Sequence, residues 1–218
     1  EIFKSMPHTH MISIDISENK LRRQGAEAIA KFISTCRTLR ALAMEKLFDS
    51  DMCLRVLTSP LPLALTLSQF PGSLTYLNLS GNKITDEGAT LIGKICLSQG
   101  NIKELDLSWN DIRADGGAEL AKACSLPDTK LEALDISWNA LGTAVGTNQP
   151  LTSAFSNMFL HNSTITHLDL SNNHLSAEDC RLLGVGLQSN HTVLGMHIAG
   201  NGGEIDAYGN LLPNSRPW

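Results

Sequence analysis

Aromatic residues make up only 5% of the 218-residue chain, so its interior must be built from aliphatic side chains. No apolar run reaches the ~20 residues that crossing a bilayer requires. The first ten residues, EIFKSMPHTH, lack the apolar segment of a signal peptide. Cys36, Cys53, Cys96, Cys124 and Cys180 are odd in number and contain no C-x-x-C spacing, which points to reduced thiols rather than a disulfide framework or a zinc site. Basic excess is missing as well. Asp+Glu number 22 against Lys+Arg 17, a net charge of −5, which speaks against nucleic acid or an anionic membrane as the main partner. Nucleophile elbows, phosphate-binding loops, glycine fingerprints for dinucleotides and H-E-x-x-H motifs are all absent. The glycines of GNGGE at 200–204 precede no helical pattern and cradle no phosphate. The expectation is a chain with no catalytic centre, no cofactor and no metal. Glu1 in place of an initiator Met leads to the further expectation of a piece of a longer, cytoplasmic protein. The N-x-[ST] triplets at Asn78, Asn162 and Asn190 would matter only in a secreted chain.

What the chain does contain is one phrase written many times. Residues 105–112 read LDLSWNDI and residues 134–141 read LDISWNAL. The fuller template is L-x-x-L-x-L-x-x-N-x-L. It fits Met11–Leu21, Leu74–Ile84, Ile102–Ile112, Leu131–Leu141 and Ile165–Leu175. Val193–Asn201 loses the last apolar position, and Leu39–Leu47 puts Leu47 where the asparagine belongs. The marker positions 19, 47, 82, 110, 139, 173 and 201 are separated by 28, 35, 28, 29, 34 and 28 residues. A base period of 28 therefore runs through the chain, with two longer units. Apolar residues at template positions 4 and 6 alternate as in a strand and face one core. Helical periodicity follows over Arg22–Cys36, Asp86–Leu97, Asp115–Cys124 and Ala177–Leu187, with Ala26, Ile29, Ala30, Ile33, Leu91, Ile92 and Ile95 turned inward. Cys96 and Cys124 each lie 14 residues after their asparagine, a shared phase that predicts buried helix positions.

These copies resemble the leucine-rich repeat family, in the long-unit form of the ribonuclease inhibitor, over residues 11–201. The resemblance implies an α/β fold: a leucine-rich repeat solenoid of about seven repeats. A curved parallel sheet would line its concave side and helices its convex side. Strands stack at ~4.8 Å and helices need ~10 Å, so the helical side must be the longer arc. We read residues 1–218 as a single domain. Residues 1–10 are expected to be the remnant of a preceding unit, and 202–218 a non-repeat C-terminal segment. There Tyr208, Leu211, Leu212 and Trp218 either cover the open edge of the core or lead into a further domain. In the long units, Pro60, Pro62 and Pro71 should break and restart a helix, and Pro150 should sit in the first turn of a helix running to Phe159.

Template positions 2, 3, 5, 7 and 8 are expected to be solvent-facing or lateral. Over seven units they hold Asp15, Glu18, Glu45, Glu104, Asp106, Glu132, Asp135 and Asp169 against Arg40, Lys46 and Lys103. One reading is a surface for a basic partner. The other is that Asp and Ser in LDLS serve local hydrogen bonding. Trp109 and Trp138 occupy position 8 of adjacent units and should be neighbours, either anchoring an interface or packing over the turn. His167, Asp169 and His197 converge on one patch, where an ordinary Asp–His ion pair is expected rather than a metal or acid–base site. The candidate partner-binding residues are Asp15, Tyr76, Asn78, Glu104, Asp106, Trp109, Asp135, Trp138, His167, Asp169 and His197.

Three function classes follow from the resemblance. The first is a non-catalytic protein–protein interaction module or scaffold, with a protein partner, no nucleic acid and no membrane. The second is a GTPase-activating regulator resembling the Ran GTPase-activating protein. The third is a structural subunit of a cytoskeletal or ciliary assembly.

Overall fold

Template positions 3 to 5 of each unit form a three-residue strand. These are β1 Ser13–Asp15, β2 Ala41–Ala43, β3 Tyr76–Asn78, β4 Glu104–Asp106, β5 Ala133–Asp135, β6 His167–Asp169 and β7 Gly195–His197. The computed structural model describes residues 11–47 apart from Lys20 and Arg22, 74–97, 101–143 and 146–214. The expectations for residues 1–10, for the Pro60, Pro62 and Pro71 segment, and for Cys53 and Trp218 lie outside the described residues. So do those for the side chains of Ala30, Ile33, Ile95 and Cys96.

All seven strands join one parallel sheet in sequence order. The register sets each template position against the same position of the next unit, for example Leu77↔Leu105 and Leu134↔Leu168. That register delivers the shared core. Leu79, Leu107, Ile136 and Leu170 are all fully buried in one cluster, together with Leu77, Leu105, Leu134 and Leu168. Ile14 and Ile16 of the first described unit are only half-buried.

Helices α1 Arg23–Thr35, α2 Asp86–Ile92, α3 Ala114–Cys124, α4 Gln149–His161 and α5 Ala177–Leu187 return the chain between strands. Neighbouring helices α2 to α5 pack side by side. Because packed helices need about twice the width of paired strands, they take the outer arc and the strands line the inner one. Ala26, Ile29 and Phe32 of α1 are buried. The helix expected over Asp86–Leu97 changes winding at Gly93 into a π-type turn, Gly93–Leu97. Ala89 and Ile92 fill the core there, and Leu91, expected inward, is half-exposed. Pro150 sits in the first turn of α4, whose N-terminus is capped by the Asn148 side chain, and the helix runs to His161 rather than Phe159. In α5, Ser176 and Asp179 form a reciprocal capping box.

The template asparagines hold the buried turns together. Nδ2 of Asn110 donates to the carbonyls of Leu107 and Ser108 in its own turn and of Leu79 in the preceding one, at 2.9, 3.1 and 3.1 Å. Its Oδ1 accepts from the N–H groups of Asn82 and Ile84, both at 2.9 Å. Asn139 and Asn201 repeat the pattern. Leu47, standing in for an asparagine, is fully buried. Asn82 bridges back over it, accepting from Leu47 N–H at 2.7 Å and donating to Met44 O at 2.7 Å. The second long unit breaks the series. Asn173 still donates to Ile136 O, Leu170 O and Ser171 O, but its buried Oδ1 has no partner.

The N-x-[ST] asparagines also serve the architecture. Asn162 donates to Cys124 O at the end of α3 and accepts from the N–H groups of Thr164 and Ile165. Asn190 does the same with Phe159 O, Thr192 and Val193. Each ties the end of an earlier helix to the approach of its own unit's strand. Of the cysteines, Cys36, Cys124 and Cys180 are buried and in no disulfide. Burial pushes the thiols of Cys124 and Cys180 up to about 12.

After the last unit, β8 Gly203–Ile205 and β9 Leu211–Pro213 form an antiparallel hairpin on α5. A Cβ on Gly184 would stand 2.2 Å from Leu211 O, so only glycine admits this approach. Leu211 is buried, as expected of an edge cover. Tyr208 and Leu212, expected beside it, are 91% and 44% exposed: Tyr208 lies in the hairpin turn, and Leu212, next to Leu211 in β9, points to the opposite side of the strand.

The ladder's gap is measurable. Asn110→Ala orphans two amide N–H groups that Asn173→Ala does not, so at about 1–3 kcal/mol for each it should cost about 2–6 kcal/mol more. Urea denaturation of the two variants compares them directly, and equal losses would deny the accepted bonds any net contribution.

Candidate functional site

Positions 3 and 5 of every strand point away from the core, on the inner arc. The parallel register lines position 5 up as Asp15, Ala43, Asn78, Asp106, Asp135, Asp169 and His197. Position 3 brings Tyr76, Glu104, Ala133 and His167 into a second row beside it. The candidate residues of both rows thus share one face. Asp15 stands apart from the others, two strands from Asn78 with Ala43 between.

The side chains at position 5 are committed in part to their own backbone. Oδ1 of Asp15, Asn78, Asp106, Asp135 and Asp169 each accepts from the N–H two residues on, at 2.8–2.9 Å. This turns the chain at position 7. Of the solvent-facing or lateral placements expected for position 7, Ser80, Ser108 and Ser137 are not solvent-facing but buried. The expected Asp169–His197 ion pair is not made. The two residues are register partners, but the Asp169 carboxylate takes the Ser171 N–H at 2.8 Å and no ion pair with His197 forms. The His167 ring lies instead against Gly195, its Nδ1 3.2 Å from Thr166 Oγ1.

Cations neutralise part of this face. Lys46 pairs with Glu45 at 2.9 Å and Glu18 at 3.5 Å, and Lys103 with Glu132 at 2.5 Å. Among the described residues, Asp15, Glu104, Asp106, Asp135 and Asp169 have no ion-pair partner. The hydroxyl and N–H of Ser17 hold the Asp15 carboxyl below its usual range. Asp135 moves the other way. Burial pushes it up against the hydrogen bonds of Ser137, and the charges of Asp106 and Asp169 on either side add to the rise.

Trp109 and Trp138 stack face to face, with ring centroids 4.1 Å apart and planes 10° from parallel. They are 58% and 46% exposed. The pair combines both readings of its sequence position: the rings pack on each other, and the stack as a whole stands in solvent. Sequence reasoning missed their backbone. Position 8 is left-handed in every unit: Glu18, Lys46, Gly81, Trp109, Trp138, Asn172 and Gly200 have φ between 48 and 74°. Gly81, Gly200 and Asn172 carried that signal, since glycine and asparagine are the residues that reach this region readily. Bulky tryptophan there is uncommon.

Comparison with known proteins agrees with the fold. Residues 8–30, 73–93, 101–121, 128–144 and 161–184 match the family model described as Leucine Rich repeat. The chain is 29% identical over 191 residues to the ribonuclease inhibitor of Mus musculus, an alignment that takes in 73% of this chain. It spans 39% of that relative's length. Among solved structures, leiomodin-1 actin-binding site 2 gives a TM-score of 0.45 at 12% identity, covering 83% of this chain and 80% of that one. The tropomodulin C-terminal domain of Caenorhabditis elegans gives 0.43 at 11%, covering 82% and 83%. None of the described helices is long and apolar enough to cross a membrane. The in-register repeats, the matched segments and the similarity to the mouse protein make this a leucine-rich repeat protein similar to the ribonuclease inhibitor.

Proposed function

We propose that the chain is a non-catalytic protein-binding scaffold that takes a basic protein partner on its concave strand face. The observation that carries this reading is the row Asp106, Asp135 and Asp169 on adjacent strands, without cations, beside the exposed Trp109–Trp138 stack. Stability alone disfavours both features. Three like charges on neighbouring strands repel, and a left-handed tryptophan stores strain of order 1–3 kcal/mol. A cationic partner would discharge the first, and burial of the indoles on binding would offset the second. The mouse relative's name supplies a partner class, a ribonuclease, and this chain would present only part of such an inhibitor's surface.

Site-specific photo-crosslinking tests the face. A crosslinker replacing Ala43 on β2 should capture basic proteins from the native source, and one replacing Lys122 on α3 should not. Equal capture from both positions, or capture of acidic proteins, contradicts the reading. Asn172 has φ 55° at position 8, so Asn should be accepted at 109 and 138. The Trp109→Asn/Trp138→Asn variant should keep its thermal midpoint within a few degrees and lose at least tenfold in partner affinity, the loss expected of an interface anchor. The charge row predicts a pH signature of the opposite sign to ordinary acid denaturation. The folded-state value of Asp135 is raised, so its penalty is absent below the unfolded carboxylate range (~3.9) and grows as pH rises through the raised value. Asp135→Asn keeps an acceptor for Ser137 N–H, as Asn78 does for Ser80. It should therefore stabilise the protein at pH 7, with the gain shrinking towards pH 4 in urea titrations.

A further inference from the structure

We infer that the concave face takes a basic, amphipathic α-helix of about three turns, laid across the strands. Its cationic stripe would lie on Asp106, Asp135 and Asp169, and an apolar stripe against Trp109 and Trp138. This rests on the basic-partner reading and adds the backbone form of the partner. Two features of different kind sit on the same strands. Register sets Asp106, Asp135 and Asp169 side by side on β4, β5 and β6. Three residues after the first two of them, Trp109 and Trp138 stack on each other and stay 58% and 46% exposed. A partner that meets both needs cations in one line and apolar side chains in a second line parallel to it. Position 3 of the middle strand is Ala133, between Glu104 and His167. Its small side chain lets a partner backbone approach the sheet at the centre of the row.

Spacing selects the partner's backbone. Neighbouring strands lie ~4.8 Å apart, so the three carboxylates span ~9.6 Å. On an α-helix, side chains at i, i+4 and i+7 share one face and span ~10.5 Å, a mismatch of about 1 Å over the whole row. An extended strand repeats a face every second residue, so i, i+2 and i+4 span ~13 Å and overshoot by about 3–4 Å. Making up that difference holds long side chains in a few bent rotamers, at a cost in entropy. A polyproline helix repeats every third residue, ~9.3 Å, so it meets Asp106 and Asp169 and leaves Asp135 without a cation. The α-helix alone pairs all three, and it keeps a neighbouring flank for the indoles. Three turns, ~16 Å of helix, reach from β3 to β6, and a rod that short fits within a curved sheet.

Three peptides of equal charge separate helix from charge. The first carries lysines at i, i+4, i+7 and i+11 beside a leucine stripe. The second spreads the same residues evenly round the helix. The third keeps the first order with two interior alanines replaced by proline, which breaks the helix. Calorimetry at low ionic strength should find the first peptide about tenfold tighter than either other, and circular dichroism should show helix gained in its complex. Asp135→Asn removes the centre of the row and still accepts from Ser137 N–H, as Asn78 does from Ser80. It should bring the first and second peptides to within about twofold of each other. Asp128→Asn makes the same charge change in the exposed turn after α3 and should leave the ranking unchanged. Equal effects of the two substitutions overturn the placement on the row. A second or third peptide that binds as tightly as the first, or a bound first peptide without helix, overturns the helix and leaves the basic-partner reading standing. Binding of none of the three overturns both.

Discussion

Everything in this structure depends on satisfying backbone groups in turns that stacking has buried. A single strand–turn–helix unit cannot cover its own apolar side, so units must pile on one another. Piling them removes the turns from water. Each turn then needs donors and acceptors that a neighbouring strand does not provide, because the strands are only three residues long. The asparagine at position 9 supplies both from one side chain. It donates to its own turn and the one before, and accepts from N–H groups of the preceding unit. The ladder is therefore also the device that locks register. A slip of one unit against the next would leave several buried groups unpaired at once, each costing about 1–3 kcal/mol. The second row of asparagines, Asn162 and Asn190, performs the same task at the other end of the strands.

Register in turn makes the face. Because like positions meet like positions, any residue type favoured at one template position becomes a row across the sheet. Aspartate at position 5 is favoured locally, since its carboxylate accepts the N–H two residues on. Repeating that local solution in Asp106, Asp135 and Asp169 produces a charge row that no single unit would show. Here a local structural preference builds the acidic face. One oxygen of each carboxylate is committed to the turn.

The period, the buried aliphatic row and the asparagine ladder were legible because each follows from spacing alone. Leu79, Leu107, Ile136 and Leu170 could be named as one row before any coordinate was known. What stayed hidden depended on atoms that spacing does not rank. Asp169 and His197 were rightly set side by side, yet spacing does not say how two side chains orient, and no ion pair joins them. Leu91 looked inward on a regular helix, but the change of winding at Gly93 ends the regular helix beside it. Tyr208 and Leu212 looked like core covers by composition, while the hairpin turns only Leu211 inward. Asn173 matches the template perfectly, and spacing does not mark its unpartnered Oδ1, since Asn82 also follows a long unit and keeps the bond from Leu47 N–H.

The tryptophans belong to a different category. Their left-handed backbone is set by position 8, where Gly81, Gly200 and Asn172 show which residues the turn accepts easily. Placing the bulkiest side chain at such a point, twice in adjacent units, adds strain that the fold does not require. The stack recovers about 0.5–1.5 kcal/mol, against of order 1–3 kcal/mol for each strained backbone. Folding alone therefore gives no reason for tryptophan at either position. The missing term lies outside the isolated chain, and burial of the exposed indoles under the proposed partner would supply it.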